Sequence, residues 1–516
     1  MVSLISFGVM ATYATLTLLI SYLINFKRDT GGDFCTGNKQ FGWLTVGISI
    51  LATYVSSMSF IGVPGWVYQS GLESLVIHLN YPIVIFFSIL YFVPVFYRLG
   101  VSSIYEYLEM RFGVRARLLN SIIFLLVQSL SAGIILYAVA LIIVQVVPIP
   151  IFQAIIVLSL FTAIYTFFGG IATVIWTDVM QSGVLLIGAV VILFFLFNGS
   201  ADTAIIEGLA DKLNILNFST DFRQDTTLAA GLIAVSFLHL SVYGSNQLII
   251  QRTLATRTLK DAQRSMLVCG YGSFFIYALF GTIGLFLFIF YDGQAFENSN
   301  NIILDFVFNY TSPATIGLVM SALVAAAMST LDSTYNSMAT VMTYDIYKRF
   351  FRKDANDKHY ETIARRFSLI CAILVVIPSI MSISNESVIK SIANIVSIFV
   401  GIRLGSFLLG LFSRTANESG ILVASLISVL AIIACRMADI AWPWYAPVGT
   451  LIFVIAGYIT SQFTGALTEN QQHFAYQQRA LFCKPTTSHY LLLVFCGLTI
   501  LACYLAPDIL AVMLSA

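Results

Sequence analysis

Charge is the scarcest feature of this sequence. Lysine, arginine, aspartate and glutamate together make up 10% of 516 residues, where a soluble domain carries about 25%. So little charge cannot cover a water-facing surface on a chain of this length. The balance is nearly neutral, 26 basic against 25 acidic residues, which says nothing in favour of nucleic acid or an acidic partner. Cysteine is sparse too: seven residues, at positions 35, 269, 371, 435, 483, 496 and 503, share no metal-ligand or redox spacing and read as packing residues. No nucleophile–base spacing or metal-ligand cluster appears, so the chain is not expected to be an enzyme. It lacks low-complexity tracts and repeats of roughly 20–50 residues. No small-residue cleavage site follows the first apolar run, which is therefore expected to stay as a helix. No soluble domain is expected at either end.

Long apolar runs fill the space that charge leaves. With 59% hydrophobic residues and a mean hydropathy of +0.90, the chain reads as an all-α polytopic membrane protein. Apolar windows bounded by polar loops predict fourteen spans, numbered here zero to thirteen. They lie near residues 3–25, 43–66, 74–97, 118–146, 151–168, 177–198, 228–250, 265–291, 314–342, 366–384, 388–413, 419–437, 446–463 and 489–512. With both termini outside, 21 of the 26 basic residues fall in inner loops, including Lys27, Arg28, Arg98, Arg111, Arg117, Arg252 and Arg349. Lys212, Arg223, Lys390 and Arg436 stay outside, and Arg403 lies within a span. That bias sets the expected topology. Within the outer loop 291–313, Ile302–Phe308 is apolar enough for a short surface helix.

Two spans are interrupted. Span one carries Ser56-Ser57-Met58-Ser59, then Gly62, Pro64 and Gly65; span six carries Tyr243-Gly244-Ser245-Asn246-Gln247. Paired breaks in corresponding helices point to a five-plus-five inverted repeat with a midplane binding site. Span eight holds Ala325-Ala326-Ala327-Met328-Ser329-Thr330-Leu331-Asp332-Ser333-Thr334-Tyr335-Asn336-Ser337. At helical spacing Ser329, Asp332 and Ser333 share a face, with Ala326 one turn before. Those oxygens suit a small hard cation such as sodium, and they equally suit helix–helix contact. Asp332 favours the cation, because a buried carboxylate needs one or a proton.

Further stretches carry a resemblance: Pro94-Val95-Phe96-Tyr97-Arg98-Leu99, Ser103-Ile104-Tyr105-Glu106-Tyr107-Leu108-Glu109-Met110-Arg111-Phe112, Tyr165-Thr166-Phe167-Phe168-Gly169-Gly170, Ala172-Thr173-Val174-Ile175-Trp176-Thr177-Asp178 and Gln251-Arg252-Thr253-Leu254-Ala255. Together with span eight they resemble the sodium:solute symporters, over most of residues 40–415. The resemblance implies a leucine-transporter-type fold. Residues 1–42 would form an extra helix and loop, 43–198 and 199–413 the two inverted halves, and 414–516 the flanking helices. It implies a sodium site at Ala52, Val55, Ala326, Ser329 and Thr330. It also implies a second site at Ser329, Asp332, Ser333 and Asp178, where Asp332 replaces a family serine and Asp178 opens span five.

The same resemblance places Ser56, Ser57, Ser59, His78, Ser131, His239 and Ser273 at the substrate pocket, with Val242 at its gate. None of the residue types used by sugar carriers is kept. The serine row of span one matches the sialic acid pattern, although Ser131 stands where that pattern has an arginine. Arg403, mid-span, supplies an alternative partner for a carboxylate. The expected function is sodium-coupled import of a small organic anion, sialic acid or another carboxylate, with one or two Na+ ions. A sugar or polyol symporter is the rival within the class, proton coupling through Asp332 a variant, and a non-transporting membrane sensor the rival outside it. The expected setting is a bacterial inner membrane, with the bilayer and the solute as partners and neither nucleic acid nor an obligate protein partner.

Overall fold

An apolar chain in lipid must satisfy every backbone group internally, and helices do so. The computed structural model describes residues 3–26, 34–199, 209–383, 395–465 and 467–515, and it is helical nearly throughout. Lys27, Arg28, Lys390, Ser384 and the start of span ten (388–394) lie outside the described residues.

The helices are α1 (Leu4–Phe26), α2 (Trp43–Tyr54), α3 (Ser57–Ser70), α4 (Leu72–Leu99), α5 (Ile104–Arg111), α6 (Val114–Val146), α7 (Ile151–Gly199), α8 (Ala230–Ser245), α9 (Gln247–Leu254) and α10 (Leu259–Phe290). After these come α11 (Pro313–Phe351), α12 (Asp357–Met381), α13 (Ile395–Phe412), α14 (Glu418–Met437), α15 (Trp442–Phe463) and α16 (Thr487–Ser515). Among the described residues eleven helices are long and apolar enough to cross a membrane, and two bent pairs raise this to thirteen. One of the eleven, α7, has 49 residues, roughly 73 Å at 1.5 Å per residue, more than twice a ~30 Å hydrocarbon core. It breaks at Gly170 (φ 57, ψ −156). There the Ile171 N–H donates to the Phe34 carbonyl at 3.0 Å. Two crossings follow, and the count becomes the fourteen read from the sequence. The outer-loop helix is present as Ile302–Tyr310.

Both interruptions are real bends. α2 meets α3 at 60°, and α8 meets α9 at 45°. The breaks are short, at Val55–Ser56 and at Asn246. Asn246 caps α9 by accepting from the Leu248 N–H, whereas no side chain caps α3. Gly62, Pro64 and Gly65 do not belong to the break, as the sequence implied; they lie inside α3. Their part is close packing: a Cβ on Gly284 would sit 2.5 Å from the Pro64 carbonyl oxygen, and one on Gly65 would sit 2.7 Å from that of Ser299.

Three arginines read as loop charges are buried instead. Arg111 donates to the carbonyls of Gly410, Ser413 and Ala416, tying α5 to the end of α13. Arg117 reaches Asp345 at 2.6 Å and Glu109 at 2.7 Å, and Arg349 holds the other oxygen of Glu109. Arg252 is carried inward by α9, because the bend at Asn246 continues the helix beneath the core. These residues mark one end of the bundle as its basic face.

Candidate functional site

The oxygen-bearing face of α11 turns onto α2 and α7, and all four residues of the second expected site converge there. Asp178 is at the centre. It accepts from Ser49 at 2.5 Å, from Thr53 at 3.4 Å, from Ser329, and from Arg252 Nη2 at 3.2 Å. Asp332 accepts from the Tyr165 hydroxyl at 2.8 Å, from Thr177 at 3.4 Å and from Ser333 at 3.2 Å. Arg252 also donates to Ser333 and, through Nε, to Ser49 at 2.9 Å. Asp178, Asp332 and Arg252 are completely buried. With both carboxylates ionised the trio carries one net negative charge, so it can accept one monovalent cation. Asp178 does not open span five as expected. The helix restarts at Gly170, and Asp178 lies two turns further in.

One turn along, the first expected site gathers at the end of α2. That helix stops at Tyr54, so its last carbonyls have no following N–H to pair with. Thr330 Oγ1 lies 3.5 Å from the Thr53 carbonyl and 3.3 Å from that of Ala326. Ala52, Val55, Ala326, Ser329 and Thr330 are all buried at this junction.

Beyond the break lies an aromatic chamber. His78 stacks on Tyr277 with centroids 3.5 Å apart, and Tyr81 stacks on His239 at 4.5 Å. The ring centroids of the two histidines lie 6.5 Å apart. Ser59 reaches the Tyr277 hydroxyl at 3.4 Å. Asn80 donates through Nδ2 to the carbonyls of Ile77 and Gly231, leaving Oδ1 as an acceptor 2.6 Å from His239 Nδ1. His239 therefore carries its proton on Nδ1 and, when neutral, offers Nε2 as an acceptor. Ser57 is buried and its hydroxyl has no partner among the described residues. Ser131 and Val242 are half-buried. Arg403 does not join the chamber. On α13, Gly401 and Gly405 abut Gly449 and Phe453 of α15. Arg403 instead shares the stripe of Phe407, whose ring meets Phe96, Tyr105 and Tyr107 near the basic face.

The model of the sodium:solute symporter family matches residues 34–428. The chain belongs to that family. It is a sodium-coupled solute symporter, a transporter and not an enzyme. It is 29% identical to the sodium/sialic acid symporter SiaT of Proteus mirabilis, over 89% of this chain and 95% of that protein. It is 31% identical to the sodium/sialic acid symporter NanT of Aliivibrio fischeri (88% and 94%), and 30% identical to the human sodium/iodide cotransporter (81% and 67%). Among solved structures, a sodium-coupled sialic acid symporter in a substrate-bound, outward-open state superposes with a TM-score of 0.82. That match is at 26% identity and covers 91% of this chain and 100% of that one. The transporter Mhp1, at TM-score 0.58 and 14% identity, shares the fold alone.

Sequence reasoning missed Arg252 as a site residue, along with Ser49, Thr53, Tyr165 and Tyr277. Ser49 and Thr53 carried a legible signal, two hydroxyls one turn apart in an apolar helix. Tyr165 and Tyr277 carried none, because a tyrosine in a span is equally an ordinary packing residue.

Proposed function

We propose that this symporter imports a small organic anion, sialic acid or another carboxylate, down a sodium gradient by alternating access. The anion is favoured by the start of α3. Among the described residues no side chain caps its N-terminus, and the buried Ser57 hydroxyl has no partner. The positive end of a half-helix opening at a break favours negative charge. Ser56, Ser57 and Ser59 supply hydroxyls there, and His78, His239, Tyr81 and Tyr277 form the walls for the organic body. Sodium would bind at the end of α2 against Thr330, and a second ion beside Asp178 and Asp332. The basic face would be cytoplasmic, with residues 43–198 and 199–413 as the inverted halves and both termini outside. Relatives named for sialic acid, iodide and monocarboxylates also carry anions.

A ligand that binds only the folded protein raises its melting temperature by mass action. Melting would be followed with sialic acid, short monocarboxylates, hexoses, inositol and amino acids, in sodium and in potassium. A rise for one acid in sodium alone, lost in Ser57→Ala, is the expected result. A rise for a hexose alone would contradict the anion.

A further inference from the structure

Arg403 is a buried cation with no ion pair among the described residues. It is 8% exposed, and among the described residues neither Nε nor Nη2 has an acceptor. Among the described residues its electrostatic partner is the Tyr105 hydroxyl, which itself also feels Asp345. That hydroxyl is also buried without a partner, as is the hydroxyl of Ser406, one turn along α13. Three side chains on α13 and α5 therefore bury polar atoms that have no hydrogen-bond partner among the described residues, not even one another. Leaving a buried polar group unpaired costs about 1–3 kcal/mol, and a charge costs more. A carrier retains such a cluster if an anion completes it during the cycle.

Its level in the membrane fixes which part of the cycle. Arg403 lies nine residues before the end of α13 at Phe412, roughly 14 Å along the axis. Arg403, Phe407 and Gly410 form an i, i+4, i+7 stripe. Its lower members rest on α5, Phe407 against Tyr105 and Tyr107, and a Cβ on Gly410 would come within 2.9 Å of the Tyr107 hydroxyl. The guanidinium thus sits one turn above an aromatic floor, between the basic face and the histidine chamber. α13 also packs on α8, which carries His239.

We propose that Arg403, Tyr105 and Ser406 form a second anion site, separate from the central chamber, that takes the carboxylate of the departing solute on its way to the basic face. This rests on the reading that the cargo is anionic, but on different residues. The floor of Phe407 and Tyr105 keeps water off the ion pair until the bundle opens on that side, so the anion is held briefly and then released to solvent.

The probe is iodide, a weakly hydrated anion small enough for either site. Purified full-length protein is melted in sodium iodide against sodium gluconate, at constant sodium and ionic strength. The wild type should show a saturable rise. In Arg403→Gln the half-saturating iodide concentration should increase at least tenfold, while Arg403→Lys keeps part of the rise. In gluconate, Arg403→Gln should melt at or above the wild type, because it removes an uncompensated charge; a guanidinium that served only packing would lower it. An iodide response unchanged in Arg403→Gln, or lost in Ser57→Ala alone, would overturn the second site and leave the central anion reading standing. No saturable response in the wild type would also overturn it. The solute panel above tests the central reading independently, through Ser57.

Discussion

Arg252 Nη2 lies 3.2 Å from Asp178 Oδ2, and neither side chain has any exposed surface. The pair holds α9, the lower half of a broken helix, against α7. It also fixes the charge felt by a cation among Ser329, Ser333 and Asp332. Removing one member strands the other as a buried charge, which costs about 3–5 kcal/mol. Asp178→Asn and Arg252→Gln should each lower the melting temperature sharply in detergent. The double variant should recover part of the loss, because both charges leave together. Additive single losses would mean that the two residues act apart.

Asp332 stands where the resemblance places a serine, and the Tyr165 hydroxyl fixes its orientation at 2.8 Å. A hydrogen bond to a charged group contributes about 1.5–3 kcal/mol. Asp332→Ser should raise the half-saturating sodium concentration for uptake about tenfold or more. Tyr165→Phe should shift it the same way by less. Sodium titration of uptake in proteoliposomes measures both, and an unchanged sodium dependence in Asp332→Ser would place the carboxylate outside ion binding.

Gly170 holds a left-handed φ of 57° at the break in α7, and a Cβ there would fall 2.7 Å from the Phe34 ring. Gly170→Ala should destabilise the fold by about 1–3 kcal/mol from backbone strain alone. Because strain at φ does not depend on the ring, Gly170→Ala with Phe34→Ala should not restore the melting temperature. Recovery in the double variant would show that the clash dominates.

Glu109, on α5 outside the membrane spans, bridges Arg117 and Arg349. Burial pushes its carboxyl up, but hydrogen bonds and charge from the two arginines outweigh it and hold the group below its ordinary value of 4.5. A depressed folded pKa contributes stability above the unfolded value, and that stability is lost as pH falls through the folded one. The melting-temperature gap between wild type and Glu109→Gln should be flat from about pH 5 to 8 and close below about pH 4. A gap that widened on acidification would contradict the bridge.

The span pattern was legible because hydrocarbon tolerates so little polarity. Fourteen crossings could be read from apolar windows along the whole chain, and both bends and the oxygen face of α11 from residues 43–66, 228–250 and 325–337. Buried arginines were not legible. A loop count cannot tell Arg257, beyond the helix end, from Arg252, five residues earlier and fully enclosed. Arg403 was recognisable as an intramembrane charge, but its side of the helix depends on Gly401 and Gly405 seating against α15, a contact that the sequence of α13 does not contain. The histidines meet because α4 packs along α8, a contact that neither helix's own sequence contains.

The most direct test of sodium coupling through α11 is equilibrium binding of radioactive sodium to the purified protein and to Ser329→Ala, alongside sodium-driven uptake. Ser329 donates to Asp178 and sits between the two expected ion positions. Its loss should weaken sodium binding at least tenfold and reduce uptake in proportion. Sodium affinity and uptake both unchanged in Ser329→Ala would contradict ion binding at this face.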